Sequence, residues 1–124
     1  MIIYSYICTS KKWFFHYMII EYADDELKIL ITTGNSTDKR YKKLKSNATF
    51  KKDLAKVMLY LRSVSTAKEL ANFGALHYEQ LKHDLSGKSS VRIGYESKYR
   101  LIFEELDLGV RVCLIEINEH YGDT

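Results

Sequence analysis

Proline is absent from this 124-residue sequence, and no Ser/Gly-rich stretch interrupts it. A linker between domains usually draws on one or the other, so the chain reads as a single folded unit. At this length the apolar core suffices to fold without staples. Cysteine is scarce: the two, Cys8 and Cys113, stand far apart in the sequence and are too few for a disulfide framework. Cys113 lies in an apolar run and is expected to be a small buried hydrophobe, consistent with a reducing, cytoplasmic setting. The four histidines and two cysteines have no spacing that suggests a zinc site. Long apolar runs are missing too. The N-terminal "MIIYSYICTSKKWFFHYMIIEY" is split by Lys11 and Lys12, and neither half approaches the ~20 residues of a membrane span. No basic region precedes the first run and no small-residue cleavage site follows it, which argues against a signal peptide.

Charge is present but unevenly placed. The net charge is +3. Between Lys39 and Arg100 there are 15 Lys and Arg against 5 Asp and Glu; the remainder has 4 against 11. A local net of +10 set against −7 elsewhere marks a polyanion-binding face or a set of solvated helix faces.

Periodicity places the elements. Met18 to Tyr22 reads as a short strand. Asp24-Asp25-Glu26 opens a short helix, its carboxylates in the first turn where the helix dipole favours them, with Leu27, Leu30 and Ile31 on one side and Gly34 at the end. A basic turn and helix follow in "NSTDKRYKKLK", with Tyr41 and Leu44 as apolar contacts. The longest helix runs from about Asn47, as N-cap, to Arg62; Phe50, Leu54, Val57, Met58 and Leu61 form one stripe at a period of 3.6. Thr66 and Glu69 match a capping box. From Leu76 the pattern turns to strands. "LHYEQLK" is a short one, and "SSVRIGY" alternates, with Val91, Ile93 and Tyr95 opposite Ser90, Arg92 and Gly94. "YRLIFEEL" and "VRVCLIEIN" complete an antiparallel meander whose last strand, apolar on both faces, belongs in a central position. Pairing of Tyr95 with Tyr99 across a three-residue turn would set Gly94 opposite Arg100. The expected class is α+β: an N-terminal strand and helices packed on one face of a mainly antiparallel sheet, the other face open and carrying Arg92 and Arg100.

The order of these pieces carries a likeness. "LHYEQLKHDLSGKSSVRIGYESKYRLIFEE" followed by "IEINEHY" resembles the RelE/ParE superfamily of bacterial type II toxins, and within it the HigB, or plasmid maintenance killer, branch. The likeness covers about Met18 to Tyr121 and leaves residues 1–17 as an N-terminal extension ahead of a toxin domain spanning 18–124. Two features depart from the branch: His83 stands where a turn glycine is usual, and Glu119 and His120 are adjacent rather than separated by an aromatic residue.

The resemblance implies a ribosome-dependent messenger RNA endonuclease that needs no metal or other cofactor. The ribose 2′-hydroxyl attacks the adjacent phosphorus and leaves a cyclic phosphate and a 5′-hydroxyl. A base, a cation at the phosphorane and an acid at the leaving oxygen are then required. His120 is the candidate base or acid because imidazole titrates near neutrality; taken alone it also fits a polar surface residue. Arg100 is the candidate for the scissile phosphate, through the guanidinium fork, or else a structural partner of Glu104. Glu119 orients His120 or acts itself. Lys82 and Arg92 are candidate phosphate contacts, and Tyr121 a candidate for base stacking. Lys39, Arg40, Lys52 and Lys56, on the basic helices, would face ribosomal RNA. The implied partners are mRNA on the ribosome, ribosomal RNA and a HigA-like helix-turn-helix antitoxin, with no membrane. Two other readings stay open: a ParE-like inhibitor of DNA gyrase, and a non-toxic relative whose site has decayed.

Overall fold

The computed structural model describes residues 3–7, 12–82 and 87–119, with side chains from Tyr17 onward. Strands β1 (Ile3–Ile7) and β2 (Lys12–His16) pair with each other in an antiparallel sheet of their own. The main sheet has five strands in the order β3-β7-β6-β5-β4. They are β3 (Ile19–Tyr22), β4 (Glu79–Gln80), β5 (Lys88–Arg92), β6 (Arg100–Leu106) and β7 (Arg111–Asn118). β3 runs parallel to β7 and the other neighbours are antiparallel, so the sheet is mixed and β7 is interior, as its apolar character requires. The α+β layout expected from the sequence is the one observed. No helix among the described residues is long and apolar enough to cross a membrane.

The helices form where local chemistry starts and stops them. In α1 (Asp25–Thr33) the Asp24 carboxylate accepts the Glu26 and Leu27 N–H groups at 2.8 and 3.2 Å. Gly34, at φ 77°, closes the helix by donating its N–H to the carbonyls of Ile29 and Leu30. α2 (Lys42–Lys45) buries Leu44, and Tyr41 just ahead of it. α3 (Ala48–Ser63) is capped by Asn47, whose side chain accepts the Phe50 N–H at 3.0 Å. Its buried residues are the five of the sequence stripe, Phe50, Leu54, Val57, Met58 and Leu61. Each contributes on the order of 1.5–3 kcal/mol by leaving water, far more than propensity supplies to a helix carrying four lysines and arginines on its outer side. They pack with Val91, Ile93, Leu101, Phe103, Val112 and Leu114 of the sheet. Glu69 accepts the Ser65 and Thr66 N–H groups at 2.8 and 2.7 Å, so the expected capping interaction is formed; these N–H groups hold its carboxyl below the usual range.

Three expectations need correction. The strand from Leu76 is only the two residues of β4, because Leu76 enters the core from a 3-10 turn (Gly74–Leu76) and His77 follows in the left-handed region at φ 45°. The β5–β6 register differs by two residues from the expected one: Arg92 lies opposite Arg100, and the Ile93 N–H donates to the Tyr99 carbonyl at 2.9 Å. The cause is burial. Ile93, just past the end of β5, is the last residue of that segment in the core, and Tyr99 packs edge-on against Phe50, centroids 5.0 Å apart. Tyr95 therefore sits in a wider turn, 90% exposed rather than on the core face. Gly94, at φ 99°, is not opposite Arg100; its missing Cβ admits Asp53, whose Oδ2 would lie 2.5 Å from that atom. The third correction concerns the supposed open face: Arg100 on it is only 7% exposed.

One irregularity was not foreseen. Ile102 pairs with Glu116, but Phe103 pairs with Leu114, so β7 carries a bulge at Ile115. Val112 and Leu114 face the core before it, and Ile117, opposite Leu101, does so after it. The bulge sends Glu116 and Asn118 to the face that holds Ile102 and Arg100.

Candidate functional site

The ends of three strands meet in one row. β5 ends at Arg92, β6 begins at Arg100 and β7 ends at Asn118; Arg92 and Asn118 are the cross-strand partners of Arg100 on its two sides. Such partners have Cβ atoms roughly 4.5–5.5 Å apart. Arg100 is held by the sheet. Its Nε donates to Ser90 Oγ at 2.9 Å, its Nη2 donates to the His77 carbonyl at 2.6 Å, and the Glu79 carboxylate lies 3.9 Å from Nη2. Ser90 is fully buried. These contacts, rather than one to Glu104, fix the guanidinium. Next along the chain from Asn118, Glu119 pairs with Lys98 at 2.7 Å. His120 and Tyr121 lie outside the described residues, as does His83.

Two grooves flank this row. One, of about 460 Å³, opens between α3 and the end of β5 and is lined in part by Asp53, Lys56, Tyr60, His77, Arg92 and Tyr95. Arg92 is half-buried, and its Nε is buried without a hydrogen-bond acceptor. The other, of about 310 Å³, lies beside the last turn of β7 and is lined by Arg40, Tyr41, Glu116, Ile117, Asn118 and Glu119. There Arg40 Nη2 donates to Asp24 Oδ2 and Asp38 Oδ2, each at 2.8 Å, and the guanidinium stacks 4.8 Å from the Tyr41 ring centroid. The guanidinium holds both carboxyls below the usual range, and they hold Arg40 protonated even more firmly than an ordinary arginine. Burial pushes the Tyr41 phenol up.

The expected site residues thus separate. Arg100 and Arg92 are brought together, and Lys56 lines the same groove as Arg92. Glu119 and Arg40 share the second groove, where Arg40 is a clamp between Asp24 and Asp38 as much as a surface cation. Lys39 and Lys52 are exposed on the helical layer. Lys82 is exposed as well, but it follows Leu81, which bonds to Lys88 at the far end of β5 from Arg92. Sequence reasoning missed Ser90 and the His77 carbonyl as the anchors of Arg100; Ser90 was legible only as the face-mate of Arg92 in "SSVRIG". It also passed over Asp53 and Tyr60, and assigned Tyr95, a candidate base-stacking ring, to the core face instead; only the packing of α3 against the β5–β6 turn assembles the three. Among the described residues no group of three or more His, Cys, Asp and Glu is placed to hold a metal ion.

Three solved structures are similar to this chain over most of its length. One is a YoeB/ParE toxin from Agrobacterium tumefaciens, 20% identical, over 84% of this chain and 100% of that one, with a TM-score of 0.49. The others are YoeB of Staphylococcus aureus in a heterotetrameric complex with YefM and as a dimer, 21% and 20% identical, each over 84% of this chain and 98% of that one, with TM-scores of 0.45. The similar proteins are YoeB-type toxins. No protein-family model matches the chain, and no curated protein does. No site residue transfers at this identity.

Proposed function

We propose that this chain is the toxin of a type II toxin–antitoxin pair, of the HigB branch, and that it cuts messenger RNA on the ribosome. The observation that supports this reading is the register that sets Arg100, its guanidinium already fixed by the sheet, directly across from Asn118, the residue that precedes Glu119 and His120 in the sequence. A guanidinium held before substrate arrives loses little entropy when it engages a phosphate. Arg100 stabilises the extra charge on the phosphorane as the 2′-oxygen attacks. His120 moves the proton at the attacking or the leaving oxygen, and Glu119 orients it or takes the other proton. The products are a 2′,3′-cyclic phosphate and a 5′-hydroxyl, and no metal enters the step. The exposed lysines from Lys39 to Lys56 face ribosomal RNA, in contacts that weaken steeply with salt. A helix-turn-helix antitoxin neutralises the protein in the cytoplasm. Residues 1–17 are an extension outside the toxin domain.

Induction in cells tests the reading, with mRNA ends mapped for the wild type, His120→Ala and Arg100→Ala. Cuts that vanish in both variants support it. Growth arrest that survives both, or inhibition of supercoiling without cuts, overturns it; the second result would favour gyrase inhibition. Harmless expression without antitoxin would identify a decayed relative. Toxicity of chains beginning at Met1 and at Met18 is expected to be equal if the extension is inert.

A further inference from the structure

The groove between α3 and the end of β5 is not used by the steps above, yet it touches them. His77 lines it and lends its carbonyl to Arg100; Arg92 lines it and is the cross-strand partner of Arg100. Its walls carry two cations, Lys56 and Arg92, two phenol rings, Tyr60 and Tyr95, and one carboxylate, Asp53. We infer that this groove is a nucleotide subsite. It takes the RNA residue next to the one at Arg100, its base against Tyr95 and its phosphate between Lys56 and Arg92. The inference rests on the RNA-cleaving reading and names a second position at which that substrate is held.

Three observations point to a nucleotide. Tyr95 is 90% exposed on a turn, where a ring that size gains nothing from the core, and bases stack on such rings whatever their sequence. Arg92 has a buried Nε with no acceptor, which a buried donor ordinarily finds, and an anion in the groove gives its guanidinium a counter-charge. Asp53 lies against Gly94, where a Cβ would stand 2.5 Å from its Oδ2 and 3.1 Å from its Cγ, so the glycine leaves the carboxylate its present position in the groove. That carboxylate sets a preference. It accepts from the exocyclic amino groups of cytosine, adenine or guanine, whereas uracil offers one N–H between two carbonyl oxygens that a carboxylate repels.

The test uses the full chain and short fluorescent RNAs of A, C or U carrying 2′-O-methyl groups, so that binding is read without cleavage. Wild-type protein is expected to bind the A and C oligomers more tightly than U. Tyr95→Ala should weaken binding about tenfold, the scale of one base on one ring. With its ring in solvent, that variant keeps the wild-type melting temperature. Asp53→Asn should erase the preference over U. Lys56→Gln should lower the slope of log affinity against log salt by about 1. If wild-type protein cuts mRNA in cells, but Tyr95→Ala and Asp53→Asn bind all three oligomers as wild type does, the subsite is overturned and the endonuclease reading stands. If wild-type protein cuts no mRNA, the endonuclease reading falls, and the subsite with it.

Discussion

Strand β6 carries a charged residue near each end, and the two ends are built differently. At one, Arg100 donates to Ser90 on one face of the sheet; toward the other, Glu105 accepts from Ser89 and from the Tyr78 hydroxyl on the opposite face. Ser89 and Ser90 are adjacent and both buried, so neighbouring residues of one strand serve two charges by the alternation of the pleat. The Glu105 end borders only a smaller groove of about 250 Å³, lined by Gln80, Leu81, Gly87, Lys88, Ser89 and Glu105; two hydroxyls point at the carboxylate, and burial, reinforced by that carboxylate, pushes the Tyr78 phenol up. The Arg100 end borders two grooves and the end of β7. The contrast teaches that a charge in a sheet is not by itself a site. Glu105, with both hydroxyls on one oxygen, is a pin for the fold; Arg100, anchored as firmly, stands in a row of strand ends that borders the two larger grooves.

The comparison breaks most clearly at Arg100. Arg100→Ala is expected to lower RNA cleavage about 10²–10³-fold, as removal of a transition-state donor does, measured as cleaved mRNA per folded molecule. Glu105→Ala is expected to do the opposite: it leaves cleavage per folded molecule unchanged and costs about 1–3 kcal/mol in urea denaturation, because it strands the buried Ser89 hydroxyl and the Tyr78 hydroxyl. The serines sharpen the contrast. Ser89→Ala should cost about 1 kcal/mol of stability with no loss of cleavage. Ser90→Ala should cost a similar amount and also reduce cleavage on the order of tenfold, since it loosens the aim of Arg100.

The smallest effect belongs to Arg40, a cation clamped between two carboxylates. Asp24 is held below the usual carboxylate range when folded, so its ionised form stabilises the protein above the unfolded value, about 3.9. That stability is lost as pH falls through the lower, folded value. Asp24→Asn should therefore melt slightly earlier than wild type at pH 7, with the gap closing as the pH drops below the ordinary carboxylate range. A gap that stays constant with pH would mean the ion pair contributes nothing, a common result for exposed pairs.

Much of this architecture was legible in one dimension because it depends on near neighbours. Asn47 and Glu69 cap turns three or four residues away, and the α3 stripe repeats every turn; such features are read from spacing alone. The Tyr95–Tyr99 register failed because alternation continues through Tyr95 in the sequence while burial stops at Ile93. The doublet Leu114-Ile115 was read as burial on both faces, when its effect is to reverse which residues face the core. Arg40 and Arg100 looked alike as candidate phosphate ligands, and only their surroundings separate a clamp from a row of strand ends.

By itself, then, the sequence determined the α+β class, the helix ends, the core stripe and the concentration of basic charge between Lys39 and Arg100, all of which follow from local hydrogen bonds and periodicity. Tertiary structure alone decided that β3 joins β7 in parallel, that a bulge turns Glu116 and Asn118 toward Arg100, and that Asp53 reaches the groove through the space left by Gly94. Those facts depend on residues far apart in the chain meeting across strands, and no local pattern records which strand a segment will find.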